Sequence, residues 1–227
     1  MLEPLIWELF MAFNAPRQSR PILPSELPPA RLPPRVLPPL KGWYTGVGSR
    51  EIPRPHYNRL RQLAHALARQ GWGVRSGSAE GADTAFEEGS FGFHRRFYLP
   101  WWGFNDHGPG TGDCVVPEKS FGEVWMDAMA IAQAHHPHWP SRPDKRGARA
   151  LLTRDVFQVL GDDLATPSAF VWCWAPQPVL DGQGRVVNVA GGTGMAVRVA
   201  ASHGIPVYHL DIPEHQAALD QFLASVA

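Results

Sequence analysis

The feature that most constrains this chain is an alternation, from Gly42 onward, of short apolar runs of strand length with longer runs of helical periodicity. Strand-like runs fall at Trp43–Val47, Gly73–Ser76, Arg96–Leu99, Ala169–Trp174 and Pro206–Leu210. Helix-like runs fall near His56–Gln70, Gly81–Gly89, Phe121–Ala134, Ala148–Leu160, Gly194–His203 and Glu214–Ser225. This order predicts a doubly wound α/β domain over residues 42–227 with a mainly parallel sheet. Phe170-Val-Trp-Cys-Trp174 lacks polar alternation, as a parallel strand covered on both faces requires. Ser120 and Glu123 have the spacing of a capping box and predict a helix start. The segment 104–145 is long for a connection and is expected as an insertion or lid, while Asp181-Gly-Gln-Gly184 reads as a hairpin tip.

Residues 1–41 form a different region. Leu5, Ile6, Leu9, Phe10 and Phe13 have helix-like spacing, and Pro21 to Pro39 holds eight of the 23 prolines. A short amphipathic element on a stiff, extended arm is expected, lying on its own domain or on a neighbouring subunit of a homo-oligomer, or recognising another protein.

Among 227 residues, 21 basic and 21 acidic side chains balance, which argues against a uniformly basic nucleic-acid surface and favours a small-molecule site. Two cysteines, Cys114 and Cys173, are too few for a disulfide framework or a structural zinc site. No apolar run approaches the roughly 18 residues of a membrane span, and the opening Met-Leu-Glu-Pro lacks the basic flank of a secretion signal. A cytoplasmic location is expected. His135-His-Pro-His138 has no carboxylate or thiol partner in the sequence pattern and reads as an exposed loop, so no metal is expected.

Three glycine-rich turns follow strands and precede helices, where an α/β sheet presents its binding edge. In Thr45-Gly-Val-Gly-Ser-Arg50, Gly46 and Gly48 allow close backbone approach, Ser49 offers a hydroxyl, and Arg50 a fork of donors for an anion. The same glycines also suit a plain tight strand exit. In Ser76-Gly-Ser-Ala-Glu-Gly-Ala-Asp83, Ser76, Gly77 and Gly81 shape the turn, and Asp83 sits in the first helical turn. There it either contacts a ribose hydroxyl or an exposed amide, or caps the helix. Glu87 and Glu88, one turn later, are either a general base aimed at the pocket or solvated surface acids. In Ala190-Gly-Gly-Thr-Gly-Met195, Gly191, Gly192, Thr193 and Gly194 make an anion cradle at a helix start, without the Lys-Ser or Lys-Thr of a Walker loop. Trp101-Trp102-Gly-Phe-Asn105 follows the third strand. An indole there would stack on a base whose rim Asn105 reads, or the cluster is core packing.

The pair Gly46-Val-Gly-Ser-Arg50 and Ser76-Gly-Ser-Ala-Glu-Gly-Ala-Asp83 resembles the GSR and SGxAxGxD signature of the DprA/Smf Rossmann-like domain. The third loop is similar to the PGGxGTxxE turn of the LOG phosphoribohydrolases. Both families belong to the SLOG superfamily of nucleotide-binding domains, and the resemblance covers about Trp43 to Leu210. It implies a Rossmann-like fold of the SLOG type and a nucleotide ligand. The catalytic glutamate of LOG enzymes falls here on Arg198, between Val197 and Val199, and their leading proline on Ala190. Their catalytic arginine has counterparts in Arg149 or Arg154.

The expected function is therefore binding of a nucleotide or phosphoribosyl-containing small molecule, as a sensor or sequestering protein. Thr193 and the Gly191–Gly194 amides would hold phosphate, Ser49 and Arg50 a second anion, Asp83 the sugar, and Trp101 or Trp102 the base. No further cofactor is implied. One alternative is an N-glycosidic phosphoribohydrolase acting on nucleoside monophosphates, with Glu87 or Glu88 as acid–base group and Arg154 stabilising charge. The other is a DprA-like DNA-processing protein that binds single-stranded DNA through a basic groove.

Overall fold

The computed structural model describes residues 37–110 and 112–226, so the amphipathic segment and most of the proline arm lie outside the described residues. The chain runs β1 (Gly42–Gly48), α1 (Arg54–Arg69), β2 (Trp72–Ser76), α2 (Ala82–Gly89), β3 (Arg95–Tyr98), β4 (Cys114–Val115), α3 (Pro117–Ser120) and α4 (Glu123–His135). It continues with α5 (Arg146–Leu160), β5 (Val171–Trp174), β6 (Val179–Leu180), β7 (Val186–Asn188), α6 (Thr193–Ser202), β8 (Val207–His209) and α7 (Pro213–Ser225). Six strands form one sheet in the order β4-β3-β2-β1-β5-β8, every pairing parallel. This is the expected doubly wound, Rossmann-like α/β architecture.

The period of two along each strand sorts side chains between two cores. On one face Tyr44, Trp172 and Trp174 pack against α1, α2 and α7. Helix α1 presents Leu60, Leu63, Ala64 and Leu67, at i, i+3, i+4 and i+7, to that core. On the other face Val47, Val171 and Cys173 pack against α4, α5 and α6. The central strands are thus buried on both sides, which is why β5 reads as an unbroken apolar run.

Within 104–145, β4 joins the sheet edge beside β3, and α4 buries Trp125, Ala128 and Ala132 in the second core. The expected capping box does not form. Pro117 starts the separate turn α3 at a first-turn position, so Ser120 has a helical backbone and ends that turn, and Gly122 occupies the N-cap of α4. The expected hairpin is present as β6 and β7. Asp181 Oδ1 accepts the N–H groups of Gln183 and Arg185, and Oδ2 accepts the Arg185 side chain at 2.8 Å. Among the described residues no helix is long and apolar enough to cross a membrane.

Candidate functional site

From β1 the sheet order runs one way through β2, β3 and β4 and the other way through β5 and β8. The connections leaving the carboxyl ends of β1 and β5 therefore depart to opposite sides and leave a crevice, the usual ligand position in open α/β sheets. A cavity of about 470 Å³ occupies it. Its wall includes Gly48, Ser49 and Arg50 from the first glycine turn, Asp83 from α2, Arg154 from α5, and Gly191, Gly192 and Thr193 from the third turn. The topology thus brings together eight residues that the sequence singled out from distant positions.

The third turn closes onto α6. The Gly194 N–H is taken by the Gly191 carbonyl at 3.2 Å and the Met195 N–H by the Gly192 carbonyl at 3.0 Å. Gly194 is buried beside Val189 and does not line the cavity, so of the expected cradle Gly191, Gly192 and Thr193 reach it, at the positive end of the helix. Gly191 has φ +75°, a left-handed conformation that glycine adopts without steric cost.

Gly46, Ser76, Gly77 and Gly81 shape the scaffold and do not line the cavity. A Cβ on Gly46 would lie 2.4 Å from Phe86 Cγ, so this glycine lets α2 approach β1. Ser76 is fully buried, and the Gly77 carbonyl accepts a hydrogen bond from Arg154 Nη1. Gly81, at φ +84°, is the N-cap of α2. Asp83 lies at the cavity wall with both oxygens engaged: Oδ1 accepts the Gly48 N–H at 3.2 Å and Oδ2 the Ala79 N–H at 3.3 Å. It therefore fastens the first turn to the second.

The acids expected to catalyse are elsewhere. Glu87 points to His107, with Nε2 to Oε2 at 3.3 Å, and Glu88 pairs with Arg61 at 3.6 Å on the outer side of α1 and α2. Neither lines the cavity: Glu88 lies about 140° round α2 from Asp83, and Glu87, on nearly the same face, is a full turn farther along the helix, where it meets His107. Trp101 and Asn105 are also outside. Trp101 packs edge-on against Phe104, and Asn105 Nδ2 donates to the Ser78 carbonyl at 3.0 Å, tying this loop to the second glycine turn. Trp102 does not line the cavity either.

Of the two candidate arginines, Arg149 holds the carbonyls of Pro140 and Arg142, while Arg154 reaches the cavity. Arg154 is 6% exposed, with its guanidinium 4.9 Å from the Phe104 ring centroid. Beside it stand two residues that the sequence reading did not single out, Asp155 and Gln158, both lining the cavity. Their signal in the sequence is limited to two polar residues one turn apart among the apolar Val156, Phe157, Val159 and Leu160, and the structure shows Thr153 to Leu160 buried throughout. Arg154 Nε lies 3.7 Å from Asp155 Oδ1, which accepts a hydrogen bond from Gln158 Nε2 at 3.2 Å.

Burial dominates the electrostatics. Desolvation raises the Asp83 carboxyl to about 6, against the opposing effect of Arg154 and the backbone N–H donors. It raises Asp155 to about 7, with Arg154 opposing and the Asp83 charge adding to the rise. Burial also lowers Arg154, which the two carboxylates counteract. Two arginines, Arg50 and Arg154, face three carboxyls, Glu51, Asp83 and Asp155, so the wall is mixed in charge. Arg198, which the LOG resemblance aligned with a glutamate, is outside the wall. Its Nε donates to the His135 carbonyl and its Nη1 to Asn188 Oδ1, both at 2.7 Å.

No group of three or more metal-ligating side chains suited to an ion occurs among the described residues. No protein-family model and no curated protein matches the chain. Among solved structures, the chain is similar to DNA processing protein A from Helicobacter pylori, described for its single-stranded DNA binding mode. The identity is 15%, the match covers 82% of each chain, and the TM-score is 0.46.

Proposed function

We propose that this protein binds a nucleotide or another phosphoribosyl-containing small molecule in the crevice between β1 and β5, in a sensing or sequestering role of the SLOG kind. The observation that carries the reading is the convergence, on one cavity of about 470 Å³, of the α6 N-terminus with its Gly191-Gly192-Thr193 turn and of Arg50 and Arg154. The volume lies within the range of small-ligand pockets. Phosphate would sit at the third turn, and Ser49 and Arg50 would meet a second anionic group at the rim. The test is calorimetric titration with nucleoside mono-, di- and triphosphates, beside mass spectrometry of small molecules released from the purified protein by denaturation. A copurified or titrated nucleotide supports the reading. Absence of both, with no response to ribose 5-phosphate, overturns it.

Hydrolysis of an N-glycosidic bond is a second reading, favoured by Asp155. A buried carboxyl raised to about 7 beside a buried arginine suits proton transfer near neutrality, the role that Glu87 and Glu88 are too remote to take. Release of free base from a nucleoside monophosphate, lost in Asp155→Asn, would establish it. Single-stranded DNA is a third reading, implied by the paired glycine motifs and by exposed Arg50 at the rim. It needs a basic track along the sheet edge, whereas this wall is mixed in charge. Salt-dependent binding of an oligonucleotide that nucleoside monophosphates do not displace would favour DNA over the small molecule.

A further inference from the structure

Three polar side chains of α5 form the inner wall of the cavity, and their hydrogen bonds within the protein are incomplete. Gln158 is 1% exposed and Arg154 6%, yet Gln158 Oε1 and Arg154 Nε make no hydrogen bond. The ionised form of Asp155 fixes the orientation of the Gln158 amide: Nε2 faces Asp155 Oδ1 at 3.2 Å, and a charged carboxylate accepts only from the NH₂ side, so Oε1 is the atom left over. Buried polar atoms of this kind cost about 1–3 kcal/mol each when left unpaired. Both atoms have almost no accessible surface, so they come to the cavity when Arg154 and Gln158 turn within it, and two such atoms beside a carboxylate are then complementary to a ligand that brings donors together with an acceptor.

The acceptors are adjacent. Asp155 and Gln158 are three residues apart on one helix, hence on one face, and the 3.2 Å contact holds their polar ends side by side. Two neighbouring hydroxyls meet this arrangement: each donates one proton, to Asp155 and to Gln158 Oε1, and a hydroxyl oxygen accepts from Arg154 Nε. Asp83 lines the same cavity, with one backbone N–H on each carboxylate oxygen and lone pairs left on both.

We propose that Asp155, Gln158 and Arg154 form a subsite for the vicinal hydroxyls of a ribose, so that the cavity selects ribonucleotides and ribose phosphates over their 2′-deoxy counterparts. The inference rests on the phosphoribosyl reading above and adds the sugar specificity. It also runs against DNA as the ligand of this cavity. The raised Asp155 carboxyl agrees with it, since hydroxyl donors favour the charged form and binding through this subsite should strengthen as pH rises through about 7.

The experiment compares ribose 5-phosphate with 2-deoxyribose 5-phosphate, and adenosine with 2′-deoxyadenosine monophosphate, by calorimetry on the full chain. Loss of one hydroxyl that faces buried polar groups should weaken binding by about 10- to 100-fold. Asp155→Asn and the near-isosteric Gln158→Leu should bring the ribo and deoxy affinities to within about threefold, by loss of affinity for the ribo ligand. The wild-type comparison requires neither variant to fold. Ribo and deoxy ligands bound equally by the wild type would overturn the subsite and leave the phosphate cradle standing. Discrimination that survives in both folded variants would likewise overturn it. No binding of any phosphate-bearing probe would instead overturn the phosphoribosyl reading, and the subsite with it.

Discussion

Single residues in this site divide into those that shape the backbone and those that face the cavity, and Gly192 and Asp83 show the difference. Gly192 has an ordinary right-handed helical backbone, φ −60° and ψ −36°, and a Cβ added there meets nothing within 4 Å. Gly192→Val should therefore leave the melting temperature within about 2 °C of wild type while projecting a branched side chain over the cradle. A nucleotide affinity reduced tenfold or more is expected by titration, and unchanged affinity in the folded variant would rule out the cradle. Asp83 is the converse. Its two oxygens accept N–H groups from the first and second turns, so Asp83→Asn replaces one acceptor by a donor facing a donor. Denaturant unfolding should show a loss on the order of 1–3 kcal/mol, with any fall in affinity following from the loosened turns. Both residues carry a sequence signal, yet a glycine or aspartate at a turn does not reveal whether protein or ligand is its neighbour.

At the scale of elements, the contact of β1 with α2 depends on the absence of a side chain. The ideal Cβ position on Gly46 falls 2.4 Å from Phe86 Cγ and 2.5 Å from Cδ1, well inside van der Waals contact. Phe86 is fully buried between Tyr44 and the helices, so it has little space to retreat. Gly46→Ala should cost about 1–3 kcal/mol by chemical denaturation, as overpacking of a dense core does. Adding Phe86→Leu should recover part of that loss, and a single variant as stable as wild type would show that the core yields more easily than its packing indicates. The helices themselves were legible from their apolar spacing, with ends displaced by a residue or two. The capping box was not, because Pro117 redirects the chain one turn earlier than the Ser120 and Glu123 spacing implies. Strand β4 has two residues, too short for any periodicity to register.

For the whole molecule, burying two carboxyls in one cavity links folding to pH. Asp83 and Asp155 rise from 3.8 to about 6 and about 7 in the folded state, so the folded protein holds protons that the unfolded chain has released. Their contribution to stability is fully present below about pH 4, falls as pH rises through about 6 and 7, and levels off above about 8. For Asp155 the difference corresponds to a fall on the order of 4 kcal/mol. Melting temperatures measured from pH 5 to pH 8 should therefore decline more steeply in wild type than in Asp155→Asn. Equal slopes would mean that Asp155 is charged in the folded protein throughout. A ligand whose hydroxyls favour the charged carboxyl should flatten the wild-type profile.

The sequence by itself determined the alternation of strands and helices, and with it the parallel sheet, since apolar periodicity and glycine punctuation are local properties of the chain. It also marked the three turns, because a strand that passes into a helix at a binding edge needs glycine at closely approached positions. Which residues share one cavity was decided only by the tertiary structure. The reversal of strand order at β1 and β5 brings positions 48–51, 83, 154, 155, 158 and 190–193 together. The rotation of α2 about its axis then sends Glu88 away, one further turn along it carries Glu87 to His107, and α5 turns Asp155 and Gln158 inward. The state of those side chains follows from burial, which depends on every element packed around them and is written in no local stretch of sequence.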